Sequence, residues 1–225
     1  MLRIALIFLS LCGWAQCQKP EPKAIQAKRA VASIETAELS GFDAYPPEVQ
    51  RLIETGLALT KQNLTYTYGS ADPGKGGMDC SGTIYYVLQK IGVLDVPRSA
   101  SAQYVWTRKA GTFTAVISRK LDSFELEALQ PGDLLFWTGT YEVAADPPVT
   151  HAMIYLGKRT RDGKPLMFGA SNGRAYDGRA MWGVSVFDFR IPKARPLAKS
   201  ATSALPSGVF IGYAHIPGLN ARQGP

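Results

Sequence analysis

The segment GGMDCSGTIYY, residues 76–86, contains a cysteine that follows an aspartate and precedes a serine. A cysteine attacks a carbonyl carbon as its thiolate, and a helix N-terminus or a nearby imidazolium favours the thiolate by lowering the pKa of the thiol. Apolar residues recur at positions 84, 87, 88 and 91, and Gly92 follows, so the spacing predicts a helix over 80–91. Cys80 is therefore a candidate nucleophile at a helix N-terminus.

A nucleophilic cysteine needs a proton acceptor, and the chain contains two histidines, His151 and His215. His151 begins the segment HAMIYLG, which predicts a strand that starts at the histidine. A cysteine and a histidine that are distant in sequence and adjacent in the fold are typical of cysteine hydrolases. Single Cys and His residues are also common in cores and on surfaces, and we interpret His215 as a surface or edge-strand residue. No zinc-ligand spacing is present, so we predict no metal and no cofactor.

The elements that must position these residues change character along the chain. Helical spacing follows the prolines of YPPEVQRLIETGLALTKQN, and a second helical patch covers about residues 100–108. The later segments GDLLFWTG, THAMIYLGK, KPLMFGASN, GVSVFDFR and GVFIGYAHI are short, rich in β-branched and aromatic residues, and separated by turn residues. Helices followed by an antiparallel sheet predict an α+β domain.

The N-terminal residues have the composition of a secretory signal peptide, with Arg3 followed by an apolar run. We assign 1–17 to this signal peptide and predict no stable membrane span, because the run is far shorter than the roughly 20 residues that a helix needs to cross a bilayer. Gln16 stands where lipidation at Cys17 would require a small residue, which disfavours it. The protein is thus expected in the periplasm, in the cell envelope or secreted.

The formal net charge of +7 suits an acidic partner such as nucleic acid, an anionic membrane surface or a cell wall. The basic residues are scattered, and no nucleic-acid motif is present, so we exclude nucleic acid as a partner. Residues 18–44 are polar and poorly periodic, which predicts a leader or linker before a domain over 45–218 and a tail over 219–225. The pattern sets no oligomeric state.

An ordered set of blocks resembles the NlpC-type family of papain-like cysteine peptidases, whose members cut peptidoglycan stem peptides. The blocks are MDCSGTIYYVLQKIGVLDVPRSASAQY, then LQPGDLLFW, then HAMIYLG, and the likeness covers roughly residues 45–218. The resemblance implies a papain-like α+β fold, in which the nucleophile begins a helix that packs on an antiparallel sheet.

The same resemblance implies roles for individual residues. Cys80 matches the nucleophile and His151 the general base. Asp79 and Ser81 match positions that help to bind the free amine and the γ-linked D-glutamyl part of the stem peptide, although either could instead cap the helix. Tyr66 matches a tyrosine that lies beside the nucleophile.

The chain departs from the family pattern at the third catalytic position. The family has a polar residue on the strand after the base, whereas the aligned segment LMFGASN has Gly169 there. Glycine has no side chain with which to orient an imidazole, so a backbone carbonyl, a water or Asn172 would have to take that role.

The resemblance implies an exported cysteine peptidase that hydrolyses the γ-D-glutamyl to diamino-acid bond of peptidoglycan stem peptides. Two alternatives stay open: an N-acetylmuramoyl-L-alanine amidase, and a wall-binding module that lost turnover. Gly169 supports the second alternative, because losing the third member of a triad lowers the rate of the reaction.

Overall fold

The computed structural model of the protein describes residues 30–191 and 208–219. The predicted signal peptide over 1–17, the first part of the leader and the last residues of the tail lie outside the described residues. Within the described ranges, no helix combines the length and the apolar character that crossing a membrane requires.

The part of the chain that the structure describes contains three α-helices at the predicted places: α1 over Pro47–Thr60, α2 over Cys80–Lys90 and α3 over Ala100–Lys109. Helix α1 has a proline at its first position, where the missing N–H leaves no hydrogen bond unmade. Asp79 caps α2 and Ser99 caps α3, and each side chain accepts a hydrogen bond from a backbone N–H of the first turn. The prediction that a helix begins at Cys80 is confirmed.

The described residues form eight strands: β1 Thr65–Tyr66, β2 Gly77–Met78, β3 Phe113–Ala115, β4 Leu134–Thr138, β5 Val149–Lys158, β6 Pro165–Tyr176, β7 Arg179–Asp188 and β8 Val209–Ala214. The last six form one antiparallel sheet in the order β3-β8-β4-β5-β6-β7, while β1 and β2 pair in parallel. The predicted α+β class with an antiparallel sheet is confirmed.

The helices pack closely against the sheet. Helices α2 and α3 contact β5, and α1 contacts β6 and β7. Gly56 of α1 permits a close approach, because a methyl group at that position would lie 2.9 Å from the Phe168 ring of β6. The first nine residues of β5 are buried, so the strand that carries His151 is fixed in the core.

Residues 30–44, which the sequence pattern assigns to the polar leader, pack against the domain. The side chains of Ile34 and Leu39 are buried, and the Val186 N–H of β7 donates to the Ala32 carbonyl at 2.9 Å. The apolar residues of this segment are too few to form a helical or strand pattern, yet Ala32 and Phe42 are buried as well. The folded unit therefore extends N-terminal to residue 45.

Gly82→Ala tests how closely the loop before β2 approaches helix α2. A methyl group at Gly82 would overlap the Ser70 carbonyl oxygen and lie 2.9 Å from an Arg98 nitrogen. Because the backbone cannot yield as a flexible side chain does, we expect the free energy of unfolding in urea to fall by about 1–3 kcal/mol. Gly74→Ala is the matched control, since its methyl would meet the flexible Asp72 side chain. Equal stability of the two variants would contradict the close approach.

Candidate active site

Cys80 is the first residue of α2 and the free cysteine of the described residues, and it is 5% exposed. Two backbone contacts fix the position of Cys80. The short parallel pair β1–β2 aligns Tyr66 with Met78, two residues before Cys80. The Asp79 N–H then donates to the Ser70 carbonyl at 3.0 Å, which fixes the turn into the helix.

The Asp79 carboxylate is the centre of a hydrogen-bond network under the helix N-terminus. One oxygen accepts from the Gly82 N–H at 2.6 Å, and the other accepts from the Gly69 N–H at 2.7 Å. Arg98 donates to both oxygens, at 3.0 and 2.8 Å, in the two-pronged geometry that guanidinium and carboxylate favour. Asp79 therefore caps the helix and ties it to two loops.

Ser81 belongs to the same network. Its hydroxyl donates to Asp79 at 3.3 Å and accepts from Arg98 at 3.1 Å. The Gln103 amide donates to the Ser81 carbonyl at 3.0 Å and to the Pro97 carbonyl at 2.9 Å, so it holds the loop that carries Arg98. The structure thus brings Asp79 and Ser81 together with residues 97–99, which follow helix α2.

His151 is the third residue of β5 and is 5% exposed. Its register partner is Trp137 of β4, and the two rings meet edge to face with centroids 5.7 Å apart. The Cys80 thiol lies against the backbone N–H of Ala152, the next residue after His151. The structure therefore brings the thiol to the start of β5, although within the described residues no hydrogen bond joins the thiol and the imidazole.

Burial shifts both groups toward their neutral forms. Desolvation raises the pKa of the Cys80 thiol, and the backbone N–H groups of Ala152 and Ser81 offset this in part. Desolvation, followed by the positive charge of Arg174, lowers the pKa of His151 well below its usual value. The helix N-terminus alone led us to expect a lowered thiol pKa, and that expectation is wrong because the burial of the thiol outweighs the helix.

At Gly169, where the family pattern has a polar residue, no side chain is present to orient the base. A methyl group at Gly169 would pack against Met153 at 3.3 Å, so this part of β6 faces the same side of the sheet as Met153 and His151. The Nε2 atom of His151 is buried and has no hydrogen-bond partner among the described residues. Asn172 is exposed on β6, and its side chain makes no hydrogen bond to His151 in the described structure.

His151 opens onto a cavity of about 540 Å³. Aromatic residues line it on one side, namely Tyr66, Tyr68 and Tyr141, and residues 171–175 of β6 line it on the other. Cys80 is not part of the lining, in keeping with its low exposure. Burial, and then the charge of Cys80, raise the pKa of Tyr66 above its ordinary value. Its hydroxyl is therefore neutral and lies next to the thiol.

Tyr68, Tyr141 and Arg174 are among the lining residues of this cavity that sequence reasoning missed. The rings of Tyr68 and Tyr141 meet edge to face at 6.5 Å, and Tyr68 is 78% exposed. A single tyrosine in a loop forms no recognisable sequence motif. For Arg174 a signal exists, because a glycine inside a strand pattern indicates a β-bulge, and Gly173 directly precedes it.

The remaining histidine lies away from this site. His215 follows β8, and its Nδ1 is 2.7 Å from an oxygen of the buried Asp133 at the start of β4. Trp137, the partner of His151, is at the other end of β4. The hydrogen bond to Asp133 raises the pKa of His215, and the pair fastens the end of β8 to β4.

Comparisons with known proteins agree on one family. Residues 63–178 match the model of the NlpC/P60 family. The chain is 29% identical over 143 residues to the gamma-DL-glutamyl hydrolase of Bacillus subtilis (strain 168), covering 61% of this chain and 30% of that protein. It is 26% identical over 117 residues to the murein DD-endopeptidase MepH of Escherichia coli (strain K12), covering 51% of this chain and 37% of that protein. The chain thus spans about a third of each of these curated relatives.

Two solved structures are similar as well. One is a protein of the NLP/P60 family from Staphylococcus aureus, described as similar to lipoprotein, with 24% identity and a TM-score of 0.40 over 71% of this chain and 45% of that one. The other is the NlpC/p60 domain of the peptidoglycan hydrolase SagA, with 23% identity and a TM-score of 0.37 over 62% of this chain and 88% of that one.

The raised pKa of the thiol predicts how Cys80 reacts with iodoacetamide. A thiol whose pKa is raised forms thiolate only as the pH rises, so we expect the alkylation rate to keep increasing from about pH 7 to about pH 9. The rate is measured by mass spectrometry, with Cys80→Ala as the blank for other cysteines and glutathione as the reference thiol. A rate that is already constant below about pH 7 would show a thiolate–imidazolium pair and contradict the assignment.

Proposed function

Because the chain belongs to the NlpC/P60 family, we propose that it is a cysteine peptidase that hydrolyses peptidoglycan stem peptides at the γ-D-glutamyl to diamino-acid bond. The observation that carries the proposal is the placement of Cys80, at a helix N-terminus and against the residue that follows His151. The name of the gamma-DL-glutamyl hydrolase supports a γ-glutamyl bond as the one that is cleaved, and the name of the murein DD-endopeptidase supports a wall peptide as the substrate.

The reaction begins with the neutral thiol and the neutral imidazole. His151 accepts the thiol proton as Cys80 attacks the scissile carbonyl carbon, and the C–N bond breaks when the imidazolium returns that proton to the leaving amine. Water then attacks the thioester, His151 accepts a proton from it, and the acid product leaves with the thiol restored. Apo enzymes often have catalytic hydrogen bonds that form only with substrate, so the unbonded thiol and imidazole are compatible with this sequence.

Backbone N–H groups of the first helical turn supply donors for the oxyanion. The first N–H groups of a helix have no partner within it. Asp79 takes those of Gly82 and Thr83, through its side chain and its carbonyl respectively. The N–H groups of Cys80 and Ser81 adjoin the thiol and lower its pKa, which places them where negative charge develops.

Three further residues are proposed to bind substrate. Tyr66 presents its neutral hydroxyl beside the thiol, where it would donate to the substrate carbonyl. Asp79 and Ser81 are proposed to meet the free amine of the stem peptide, because the charge of Asp79 acts on both Cys80 and Tyr66. Their bonds to Arg98 and the helix give them a structural role as well. Such a substrate requires export, for which we propose the signal peptide over 1–17.

The wall-binding module is the second candidate. The unpartnered Nε2 of His151 favours it, because nothing in the described structure holds the imidazole in one tautomer. The burial of the ring against Trp137 argues for the peptidase, since packing also restricts the orientation of a side chain.

Defined muropeptides distinguish these functions. We expect the protein to cleave stem peptides with a free N-terminal L-Ala at the γ-D-glutamyl bond, as seen by mass spectrometry of the products, and Cys80→Ala to cleave none. Cys80→Ala removes only the thiol sulfur, so wall binding measured by sedimentation serves as the folding control. Product masses that show release of the glycan from L-Ala would establish the amidase, and binding without cleavage by either protein would establish the module.

Asn172→Ala tests the candidate third partner of the base. Because burial and Trp137 already hold the His151 ring and Asn172 makes no bond to it, we expect kcat to fall by about tenfold or less. Ser101→Ala, on helix α3, is the control for a lost surface hydrogen bond. A fall in kcat of about 10³-fold or more with an unchanged free energy of unfolding would instead make Asn172 the orienting residue.

A further inference from the structure

A β-bulge in β6 directs one arginine into the active-site cavity. Asn172 pairs with Trp182 and Arg174 with Met181, so Gly173 is an extra residue without a partner on β7. Gly173 has a φ of +85°, a conformation that glycine adopts without strain. Strand alternation would give Arg174 the opposite side from Ser171, and the extra residue turns it back to the side of the cavity.

Arg174 lies against the same aromatic ring that packs on the catalytic base. Its guanidinium carbon is 4.5 Å from the centroid of the Trp137 ring, and that ring meets His151 edge to face. Arg174 and His151 both line the cavity. The cation is therefore held in position beside the site where the scissile bond would lie, by a contact with an aromatic face that leaves its N–H donors unused.

No carboxylate pairs with Arg174 among the described residues, and its side chain makes no hydrogen bond there. The acid on the same cavity wall, Asp188, forms an ion pair with Arg190 at 2.6 Å. The buried Arg159, near the same hairpin, shows the usual alternative, since it bonds to both Asp162 and Asp177. Arg174 is partly buried and no acidic side chain among the described residues neutralises it, so its N–H donors are free to bind an anionic ligand.

The positive charge of Arg174 affects the ionisation of His151. Burial lowers the pKa of Arg174 to about 10, so it remains a cation at neutral pH. Its charge is one of the two causes that lower the pKa of His151. An anionic group bound to Arg174 would thus stand close to the base and to the reacting bond.

We propose that Arg174 is a specificity-determining residue that binds the free α-carboxylate of the glutamyl residue whose γ-amide is cleaved. This inference rests on the proposed function and deepens it. A γ-linked glutamyl residue has a free α-carboxylate, whereas the α-carboxyl group of an α-linked residue is part of the peptide bond. A planar guanidinium binds a carboxylate through two parallel hydrogen bonds. Arg174 therefore selects substrates both by their γ-linkage and by their negative charge.

The test compares two substrates that differ in one group: L-Ala-γ-D-Glu joined to a diamino acid, with the α-carboxylate free or converted to a carboxamide. We expect wild type to prefer the carboxylate by about 10- to 100-fold in kcat/KM, because a charged hydrogen bond is lost with the amide. Arg174→Gln should cleave both substrates at equal rates, and Arg174→Lys should keep part of the preference. Arg179→Gln, which removes an exposed charge from the same hairpin, should behave as wild type.

A binding measurement separates this inference from the proposed function. Cys80→Ala, with and without Arg174→Gln, is titrated by calorimetry with L-Ala-γ-D-Glu and with its α-carboxamide. If no substrate is cleaved but the carboxylate dipeptide binds about tenfold more tightly only when Arg174 is present, the peptidase proposal fails and the carboxylate site stands. Cleavage of both substrates at equal rates by wild type overturns the role of Arg174 and leaves the peptidase intact. Absence of carboxylate dependence in both turnover and binding overturns it as well.

Discussion

The ion pair between Asp79 and Arg98 is the contact on which the arrangement of the site depends. The carboxylate accepts from the backbone of the loop at Gly69 and from the first turn of α2 at Gly82, while Arg98 brings in the segment before α3. Three parts of the chain are thus joined directly beneath the nucleophile. Since Asp79 is 6% exposed, its charge is tolerable only because these donors surround it. The order of the site therefore comes from a buried charge that is fully paired.

The same burial that orders the site also works against its chemistry. A buried thiol and a buried imidazole both favour their neutral forms, so the structure lacks the charge separation that makes a cysteine reactive. Charged groups at the cavity then matter more, because a low-dielectric environment screens them weakly. The positive charge of Arg174 favours the thiolate and disfavours the imidazolium. The negative charge of Asp79 disfavours the thiolate.

The sequence predicts the framework of this protein well and the wall of its cavity poorly. Helix α2 was predictable from apolar spacing after Cys80, and the strand at His151 from its β-branched and aromatic residues, because both patterns reflect local burial. The direction of the thiol pKa was not, since it depends on how deeply Cys80 is covered by β5. The position of Arg174 depends on a one-residue bulge, which moves every later side chain of the strand to the other face of the sheet.

The packing of residues 30–44 has a consequence for the outer edge of the sheet. Strand β7 is the last strand on its side, and an open edge offers unpaired backbone groups to any other extended chain. Here the Trp182 and Val186 N–H groups donate to the carbonyls of Ala30 and Ala32, and the Val184 N–H donates to Leu64. The segment that begins at Ala30 thus covers part of the open edge of β7. A chain trimmed to residue 45 would expose a row of hydrogen-bond donors, and with it a surface on which two copies could join edge to edge.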